Sequence, residues 1–129
     1  MGRVLGEAAK DKLLREYQNG ARTRGYAWEL TAEDFYGLVA EDCRYCGCPP
    51  SKVRRNGTYN GEFVYNGIDR VDNSLGYVPG NVTACCETCN RAKNALSYSE
   101  FMAWIARLVM HHWFNPEQTP SRLLKEVQA

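Results

Sequence analysis

Four cysteines occur as two doublets with the same spacing, and this residue type at this spacing is typical of metal binding. Two residues separate Cys43 from Cys46, and two separate Cys86 from Cys89. One tight turn can direct both sulfurs of a doublet at the same ion, and a second such turn completes a tetrahedral four-sulfur zinc site. The doublets therefore predict one structural zinc ion per chain. A closed site of this kind contributes folding free energy and offers no open position for catalysis.

Two further cysteines, Cys48 and Cys85, lie outside the doublets. Cys85 adjoins Cys86 but points to the other side of an extended segment, so apolar burial is favoured over ligation. Both are left out of the predicted zinc site. The alternative for the doublets themselves is two unrelated pairs of buried thiols. Disulfides are not expected, because thiols in a reducing compartment stay reduced.

Composition limits the classes of function that the chain can serve. The 129 residues, 44% of them hydrophobic, predict one compact domain. A net charge of +1 gives no global attraction to a polyanion, so contact with nucleic acid must rest on local basic clusters. There is no apolar run of bilayer-spanning length and no apolar core of a secretory signal. We therefore expect a cytoplasmic protein without a membrane partner.

Several helices and strands must position these cysteines. Apolar residues at helical spacing predict an amphipathic helix over residues 6–19, which ends at Asn19 and Gly20. Residues 26–30 alternate like a short strand. Thr31, followed three residues later by Asp34, forms a capping box that opens a second helix.

The second half of the chain reads as a hairpin followed by helices. Residues 49–61 form a basic loop or hairpin tip, a strand follows over residues 62–68, and a helix begins near Cys89. Ser97 and Glu100 form a second capping box, whose helix runs toward His112. Its apolar stripe is predicted to be core or, less often, a dimer face, and comprises Phe101, Trp104, Ile105, Leu108 and Val109. Ser121 opens a short last helix.

The stretch GIDRVDNSLGYVPGNVTACCETCNRAK, residues 67–93, resembles the ββα-metal core of HNH endonucleases. In that family a strand ends in Asp-His, a loop carries Asn, and a helix begins with Cys-Asn-x-x-Lys after the second zinc doublet. The chain is most similar to the phage-borne and PacI-like restriction branch, with Asp-Arg in place of Asp-His. The segments ARTRGYAWELTAEDF and CRYCG resemble the leader of that branch, so the resemblance extends over roughly residues 17–105.

The resemblance implies a small α+β fold, with a treble-clef-like, zinc-stapled ββα-metal core and flanking helices. It also implies three segments along the chain. Residues 1–42 are a helical leader with a short strand, residues 43–96 are the nuclease core, and residues 97–129 are helices that pack on that core.

The resemblance also assigns the catalytic metal site by motif position. The family's first metal-binding carboxylate matches Asp69, its loop asparagine matches Asn81, and its helix metal ligand matches Asn90. Carboxylate and amide oxygens are hard donors that suit Mg²⁺ or Mn²⁺. Such an ion polarises the scissile phosphate and stabilises the departing 3′ oxygen. For Asn81 we favour a second interpretation, in which its amide fastens the loop through backbone hydrogen bonds.

Arg70 is the departure from the family pattern, because the histidine at that place normally takes a proton from the attacking water. A guanidinium keeps its proton at physiological pH and cannot serve as a general base. Arg70 can instead clamp the phosphate and offset charge in the transition state. The two histidines, His111 and His112, mark the end of a helix rather than the active site.

A tyrosine is the natural substitute for the missing base, since a nearby cation and guanidinium lower the pKa of a phenol. Alternation along a regular strand places Tyr65 on the same face as Gly67 and Asp69. Tyr59 and Tyr26 are rivals, and a metal-bound water without a protein base is the remaining option. The sequence leaves these alternatives open.

Local basic clusters predict contact with the phosphates of double-stranded DNA. They lie in the leader, in the insert between the doublets and on the active-site helix: Arg22, Arg24, Arg54, Arg55, Arg91 and Lys93. Such contacts give affinity and register without reading bases. Cutting both strands with one active site requires either a homodimer or successive nicks.

The predicted function is therefore a divalent-metal-dependent DNA endonuclease. One alternative is a zinc module that keeps the scaffold and binds nucleic acid without cutting it. The presence of Asp69 and Asn90 argues against that alternative, because a binding module needs neither side chain at those places. A nuclease acting on RNA is the third possibility.

Overall fold

The chain folds into four helices and two small antiparallel sheets in the part that the structure describes. This computed structural model describes residues 6–55 and 61–115. The elements in chain order are α1 Glu7–Thr23, α2 Ala32–Val39, β1 Lys52–Arg55, β2 Glu62–Tyr65, β3 Gly67–Arg70, β4 Val82–Cys85, α3 Glu87–Lys93 and α4 Tyr98–Phe114. This mixed arrangement confirms the predicted α+β class.

Two compact units divide the chain, residues 1–95 and residues 96–129. The first unit contains both sheets with α1, α2 and α3, and the second contains α4. The predicted boundaries after residues 42 and 96, and the packing of the last segment on the core, stay predictions.

Helix α1 extends further than its sequence predicts. Gly20 lies inside the helix, and the chain leaves the helix at Gly25, whose φ of 77° is left-handed. The amide of Tyr26 then donates to the carbonyl of Ala21 at 2.8 Å, which closes the last turn. Ala21 is fully buried, and its burial offsets the cost of about 1 kcal/mol that a glycine imposes on a helix interior.

An aromatic core holds the first unit together. Phe35 of α2 is fully buried, with the rings of Tyr17 and Trp28 at 5.3 Å and 5.8 Å from its own. Asp34 and Thr31 exchange both hydrogen bonds of the predicted capping box, at 3.0 Å and 3.1 Å, which confirms where α2 begins. The cap therefore sets the direction from which Phe35 enters the core.

The short strand predicted over residues 26–30 is reduced to a single parallel bridge between Trp28 and Tyr77. Its backbone bonds run from Tyr77 N to Ala27 O and from Glu29 N to Tyr77 O, both at 2.8 Å. The chains approach so closely that a Cβ on Gly76 would lie 2.6 Å from the Ala27 carbonyl oxygen. Glycine at position 76 is therefore required by this contact.

The single strand predicted over residues 62–68 is two strands that belong to different sheets. β2 pairs with β1, and β3 pairs with β4, where Asp69 lies opposite Thr83. The change of partner occurs at Asn66, which is fully buried and donates its backbone amide to the Val39 carbonyl at 2.8 Å. Its side-chain amide donates to Glu41 O at 2.9 Å. Strand alternation consequently does not continue from β2 into β3.

Helix α3 begins at Glu87, two residues before the predicted start, because the Cys86 sulfur caps it by accepting from the Cys89 amide at 3.4 Å. Helix α4 begins after Ser97, whose capping box with Glu100 is formed as predicted.

The apolar stripe of α4 is buried only at its start. Phe101 is 2% exposed, whereas Trp104, Leu108 and Val109 are 37%, 42% and 54% exposed, so the prediction of a core stripe is wrong for these three. The helix predicted after Ser121 lies outside the described residues. None of the described helices combines the length and apolarity needed to span a bilayer.

Candidate zinc site and active-site pocket

Four cysteine sulfurs gather in one cluster with the dimensions of a zinc site. Those of Cys43, Cys46, Cys48 and Cys86 lie within 4.8 Å of one another. The sulfurs of Cys46 and Cys86 are 3.7 Å apart. Tetrahedral zinc with bonds of about 2.3 Å requires sulfurs about 3.8 Å apart. The cluster therefore fits zinc in both donor type and spacing.

Cys48, which is left out of the predicted site, has its sulfur among these four. The chain turns back after Cys46, because Gly47 takes a left-handed φ of 79° and the Cys43 amide donates to the Cys48 carbonyl at 2.8 Å. Cys89, which the doublets predict as a ligand, has its thiol in contact with those of Cys86 and Cys46. Five thiols therefore lie close together, although four are enough to complete a tetrahedral zinc site.

Cys85 is buried, donates to the Cys86 carbonyl at 3.3 Å and also contacts the Cys43 thiol, but its sulfur is not among the four clustered ones. The thiols of the cluster differ in how readily they ionise. Burial raises the pKa of Cys43, but backbone hydrogen bonds at Cys46, Cys86 and Tyr45 outweigh it and lower the pKa to about 6. The hydrogen bond to Cys46, and then burial, raise the pKa of Cys48 to about 12. A bound cation favours the thiolate at every ligand and would remove this difference.

A pocket of about 410 Å³ opens beside β3 in the first unit. Its walls carry one carboxylate, three arginines and three asparagines, together with two tyrosines and one isoleucine. The residues that line it are Tyr17, Arg24, Ile68, Asp69, Arg70, Asn73, Tyr77, Asn90, Arg91 and Asn94. Positive charge around a lone carboxylate, with amide oxygens nearby, suits a phosphate and a divalent cation together.

Asp69 is held in this wall by two donors to a single oxygen. The Tyr45 hydroxyl donates to Oδ2 at 2.7 Å, and the Lys93 ammonium lies 3.2 Å from the same atom. Lys93 is fully buried and also donates to the Arg70 carbonyl at 3.4 Å. Tyr45 is not predicted as a site residue from the sequence, although it lies between Cys43 and Cys46. The prediction that Lys93 contacts DNA is corrected here, because a fully buried ammonium does not face the solvent.

Tyr45 acts as a donor in this contact. Burial, and then the hydrogen bond to Asp69, raise the pKa of Tyr45 above the ordinary range of a phenol. The hydroxyl therefore keeps its proton at neutral pH.

Arg70 supports the loop after β3. Its Nη1 donates to the carbonyls of Asn73 and Leu75 at 2.7 Å and 2.9 Å. The guanidinium carbon lies 3.6 Å from the centre of the Tyr26 ring, a stacking cation–π contact. One edge of the guanidinium is thus used by the loop, while the residue also lines the pocket.

Asn81 fastens the same loop from the other side. Its Oδ1 accepts from the Asp72 amide at 2.8 Å, and its Nδ2 donates to the carbonyls of Asp72 and Gly76 at 3.1 Å and 2.9 Å. Asn81 is 5% exposed and does not line the pocket. Its geometry is that of the loop fastener favoured above.

Helix α3 presents its amides and one arginine to the pocket. Asn90 of α3 and Asn94, the residue that follows the helix, are both exposed and line the pocket. Arg91 lines the pocket too and pairs with Glu87 at 2.6 Å. Asn90 therefore lies on the same pocket wall as Asp69, where the resemblance placed the two metal ligands.

Comparison with known proteins gives this geometry a context. No family model matches the chain. The uncharacterized protein R423 of Acanthamoeba polyphaga mimivirus is 33% identical over 94 residues, which are 73% of this chain and 16% of that relative. Among solved structures, the chain is similar to PacI, a rare-cutting HNH restriction endonuclease, with 27% identity and a TM-score of 0.53 over 76% of this chain and 80% of that one. The chain has an HNH-like fold.

Within this HNH-like fold, Tyr65 lies apart from the pocket. It belongs to β2, is 7% exposed, and stacks on Phe63 with ring centres 6.1 Å apart. The argument from alternation that joined it to Asp69 is wrong, since the partner change at Asn66 separates the two strands. Tyr59 lies outside the described residues, and Tyr26 is covered by Arg70.

Two other tyrosines line the pocket instead. Burial raises the pKa of Tyr17 to about 12, which disfavours a phenolate there at neutral pH. The hydroxyl of Tyr77 accepts from Arg24 Nη2 at 2.9 Å. Neither was singled out from the sequence, because the bridge that brings residue 77 to this wall is a long-range contact.

The predicted DNA-contacting arginines divide into two groups. Arg24 and Arg91 line the pocket, where a phosphate can reach them. The others bond to neighbouring side chains at the surface, and these pairs are Arg22 with Asn19, Arg54 with Glu16, and Arg55 with Glu62. Exposed pairs of this kind contribute little to stability, so these arginines can leave their partners and bind a phosphate instead.

Proposed function

We propose that the chain is a divalent-metal-dependent endonuclease of the PacI-like HNH branch that hydrolyses phosphodiester bonds in double-stranded DNA. The observation that carries the proposal is the shared pocket wall of Asp69, Asn90 and Arg70 within an HNH-like fold. The Asp-Arg pair of this chain takes the place of the Asp-His pair in the family pattern.

Asp69 and Asn90 are the residues that would hold Mg²⁺ or Mn²⁺. A buried carboxylate beside exposed amides of the same wall is a donor set of hard oxygens, which suits either ion. When bound, the ion would act as a Lewis acid toward the scissile phosphate.

The arginines of the pocket bind and orient the phosphate. Arg24 and Arg91 place guanidinium groups at the pocket, and Arg24 is oriented by its bond to the Tyr77 hydroxyl. Guanidinium groups form charge-assisted hydrogen bonds with phosphate oxygens. Arg70 adds positive charge beside Asp69 without acting as a base, since it keeps its proton.

The loop after β3 keeps this wall in place. Asn81 and Arg70 together bond to five of its backbone groups, which are the amide and carbonyl of Asp72 and the carbonyls of Asn73, Leu75 and Gly76. Groups that are positioned before the substrate arrives need no reorganisation during the reaction. We assign these two side chains to preorganisation of the site.

The cysteine cluster would hold one structural zinc ion, as its sulfur spacing supports. Zinc there would fasten the turn after Cys43 to the start of α3 and would leave no open position for hydrolysis. A thiol cluster of this kind suits a reducing compartment, in keeping with a cytoplasmic location.

The test is incubation of the purified, zinc-loaded chain with supercoiled plasmid and Mg²⁺ or Mn²⁺. We expect nicked or linear product that disappears on chelation of the divalent ion and in the Asn90→Ala variant. Asn19→Ala is the matched control, because it removes another exposed amide, on α1 and outside the pocket. Full cleavage by Asn90→Ala and by Asp69→Ala would overturn the proposal.

A second candidate is a module that binds nucleic acid without cutting. It is favoured by one contact, since the Lys93 ammonium at 3.2 Å competes with a cation for Asp69. Plasmid that is shifted in a gel but stays intact with both metals would identify this module. The same assay with an RNA duplex separates a DNA nuclease from an RNA nuclease.

A further inference from the structure

Tyr45 connects the cysteine cluster to the active-site carboxylate. It lies between Cys43 and Cys46, so its backbone belongs to the turn that gathers these two sulfurs. The neighbouring Arg44 amide donates to the Ala84 carbonyl at 3.0 Å, which ties this turn to β4. Because β4 pairs with β3, the turn is bonded to the sheet that carries Asp69.

The Tyr45 hydroxyl and the Lys93 ammonium occupy the same oxygen of Asp69. The two distances to Oδ2 are 2.7 Å and 3.2 Å, and the first is typical of a hydroxyl that donates to a carboxylate. Both of these contacts are made at Oδ2. Rotation of the carboxylate would break both contacts to Oδ2, so they hold the carboxylate in one orientation.

The two donors come from the two halves of the cysteine cluster. Tyr45 belongs to the turn of the first doublet, and Lys93 is the last residue of α3, the helix that Cys86 caps. An ion that closes the cluster therefore also sets the distance between the donors that hold Asp69.

We propose that Tyr45 is a positioning residue for Asp69, which holds Oδ2 so that Oδ1 alone binds the divalent ion of the pocket. The proposal rests on the proposed function, because it concerns the metal site of that reaction. Hydrogen-bonding partners of metal ligands typically contribute 10- to 100-fold to metal affinity. Tyr45 is thus the link through which the structural zinc site determines the geometry of the catalytic one.

The experiment measures Mn²⁺ binding to the zinc-loaded full chain by electron paramagnetic resonance. Tyr45→Phe should weaken Mn²⁺ binding about 10-fold or more, since it removes one hydroxyl and no ring. Tyr36→Phe is the matched control, because the Tyr36 hydroxyl also donates to a carboxylate, Asp11, at 2.8 Å, and does not line the pocket. It should leave the affinity unchanged.

A second readout separates positioning from general damage. In plasmid nicking, Tyr45→Phe should raise the Mn²⁺ concentration for half-maximal rate by the same factor, with a smaller effect on the rate at saturating Mn²⁺. A loss of rate that no Mn²⁺ concentration restores, with unchanged Mn²⁺ affinity, would overturn the proposal.

Asp69→Asn keeps the two proposals distinguishable. If this variant binds Mn²⁺ as tightly as the unaltered chain, the metal is not at Asp69 and the proposed function fails. If Asp69→Asn loses Mn²⁺ while Tyr45→Phe keeps it, the proposed function stands and only the role of Tyr45 is overturned.

A crystal structure of the unaltered chain soaked in Mn²⁺ tests the same inference should Tyr45→Phe fail to retain zinc. Mn²⁺ on Oδ1, with the Tyr45 hydroxyl still on Oδ2, would support the proposal. Mn²⁺ on Oδ2, or on both oxygens with Tyr45 displaced, would overturn it.

Discussion

The ammonium group of Lys93 lies 3.2 Å from the carboxylate of Asp69, and their side chains are 0% and 7% exposed. The last residue of α3 thus faces the third residue of β3 inside the protein. Two opposite charges can both be buried because their mutual attraction offsets the free-energy cost of desolvation. The pair makes Lys93 a buried partner of the pocket carboxylate rather than part of the DNA-binding surface.

Replacing Lys93 with methionine should lower the free energy of unfolding by about 3–5 kcal/mol, because it leaves a buried carboxylate without its counter-charge. Urea denaturation of the zinc-loaded protein measures the change. The double variant Asp69→Asn with Lys93→Met should recover part of this loss. Strictly additive losses in the double variant would show that the two side chains are not energetically coupled.

Replacing Arg70 with lysine should destabilise the chain by about 1.5–3 kcal/mol, even though the charge is kept. A lysine cannot reach the carbonyls of Asn73 and Leu75 with one planar group while it stacks on the Tyr26 ring. Thermal or urea unfolding without DNA measures this effect. Unchanged stability combined with lost nicking would instead assign Arg70 to phosphate binding alone.

The adjacent cysteines should respond oppositely to replacement by serine. Cys86→Ser should lose zinc, because its sulfur belongs to the cluster and also caps α3. Cys85→Ser should retain one zinc per chain, because its sulfur lies outside the cluster. Elemental analysis after gel filtration measures the zinc content. Zinc loss in both variants, with Cys85→Ser still folded, would contradict this ligand set.

Tyr65→Phe should leave the nicking rate unchanged, since Tyr65 packs on Phe63 in β2 and does not line the pocket. Plasmid nicking under single-turnover conditions, with Tyr45→Phe alongside, measures the comparison. A large fall in the rate for Tyr65→Phe at unchanged stability would return Tyr65 to the list of candidate bases.

Local sequence signals were reliable where a few neighbouring residues decide the structure. The capping boxes at Thr31 and Ser97 are formed as predicted, because each requires only hydrogen bonds across three residues. The end of α1 was wrong, because Gly20 and Gly25 carry the same local signal. The burial of Ala21 selects the second glycine.

The sequence by itself determined the cysteine doublets, the helix caps and the resemblance that led to an HNH-like fold, since all of these are written in residue types at short spacing. Only the tertiary structure decided that Cys48 joins the cluster, that Asn66 moves the chain between sheets, and that Lys93 is buried. The contact of Tyr45 with Asp69 joins residues 24 positions apart. Contacts of this range depend on how the core packs, and no local pattern encodes which side chains that packing brings together.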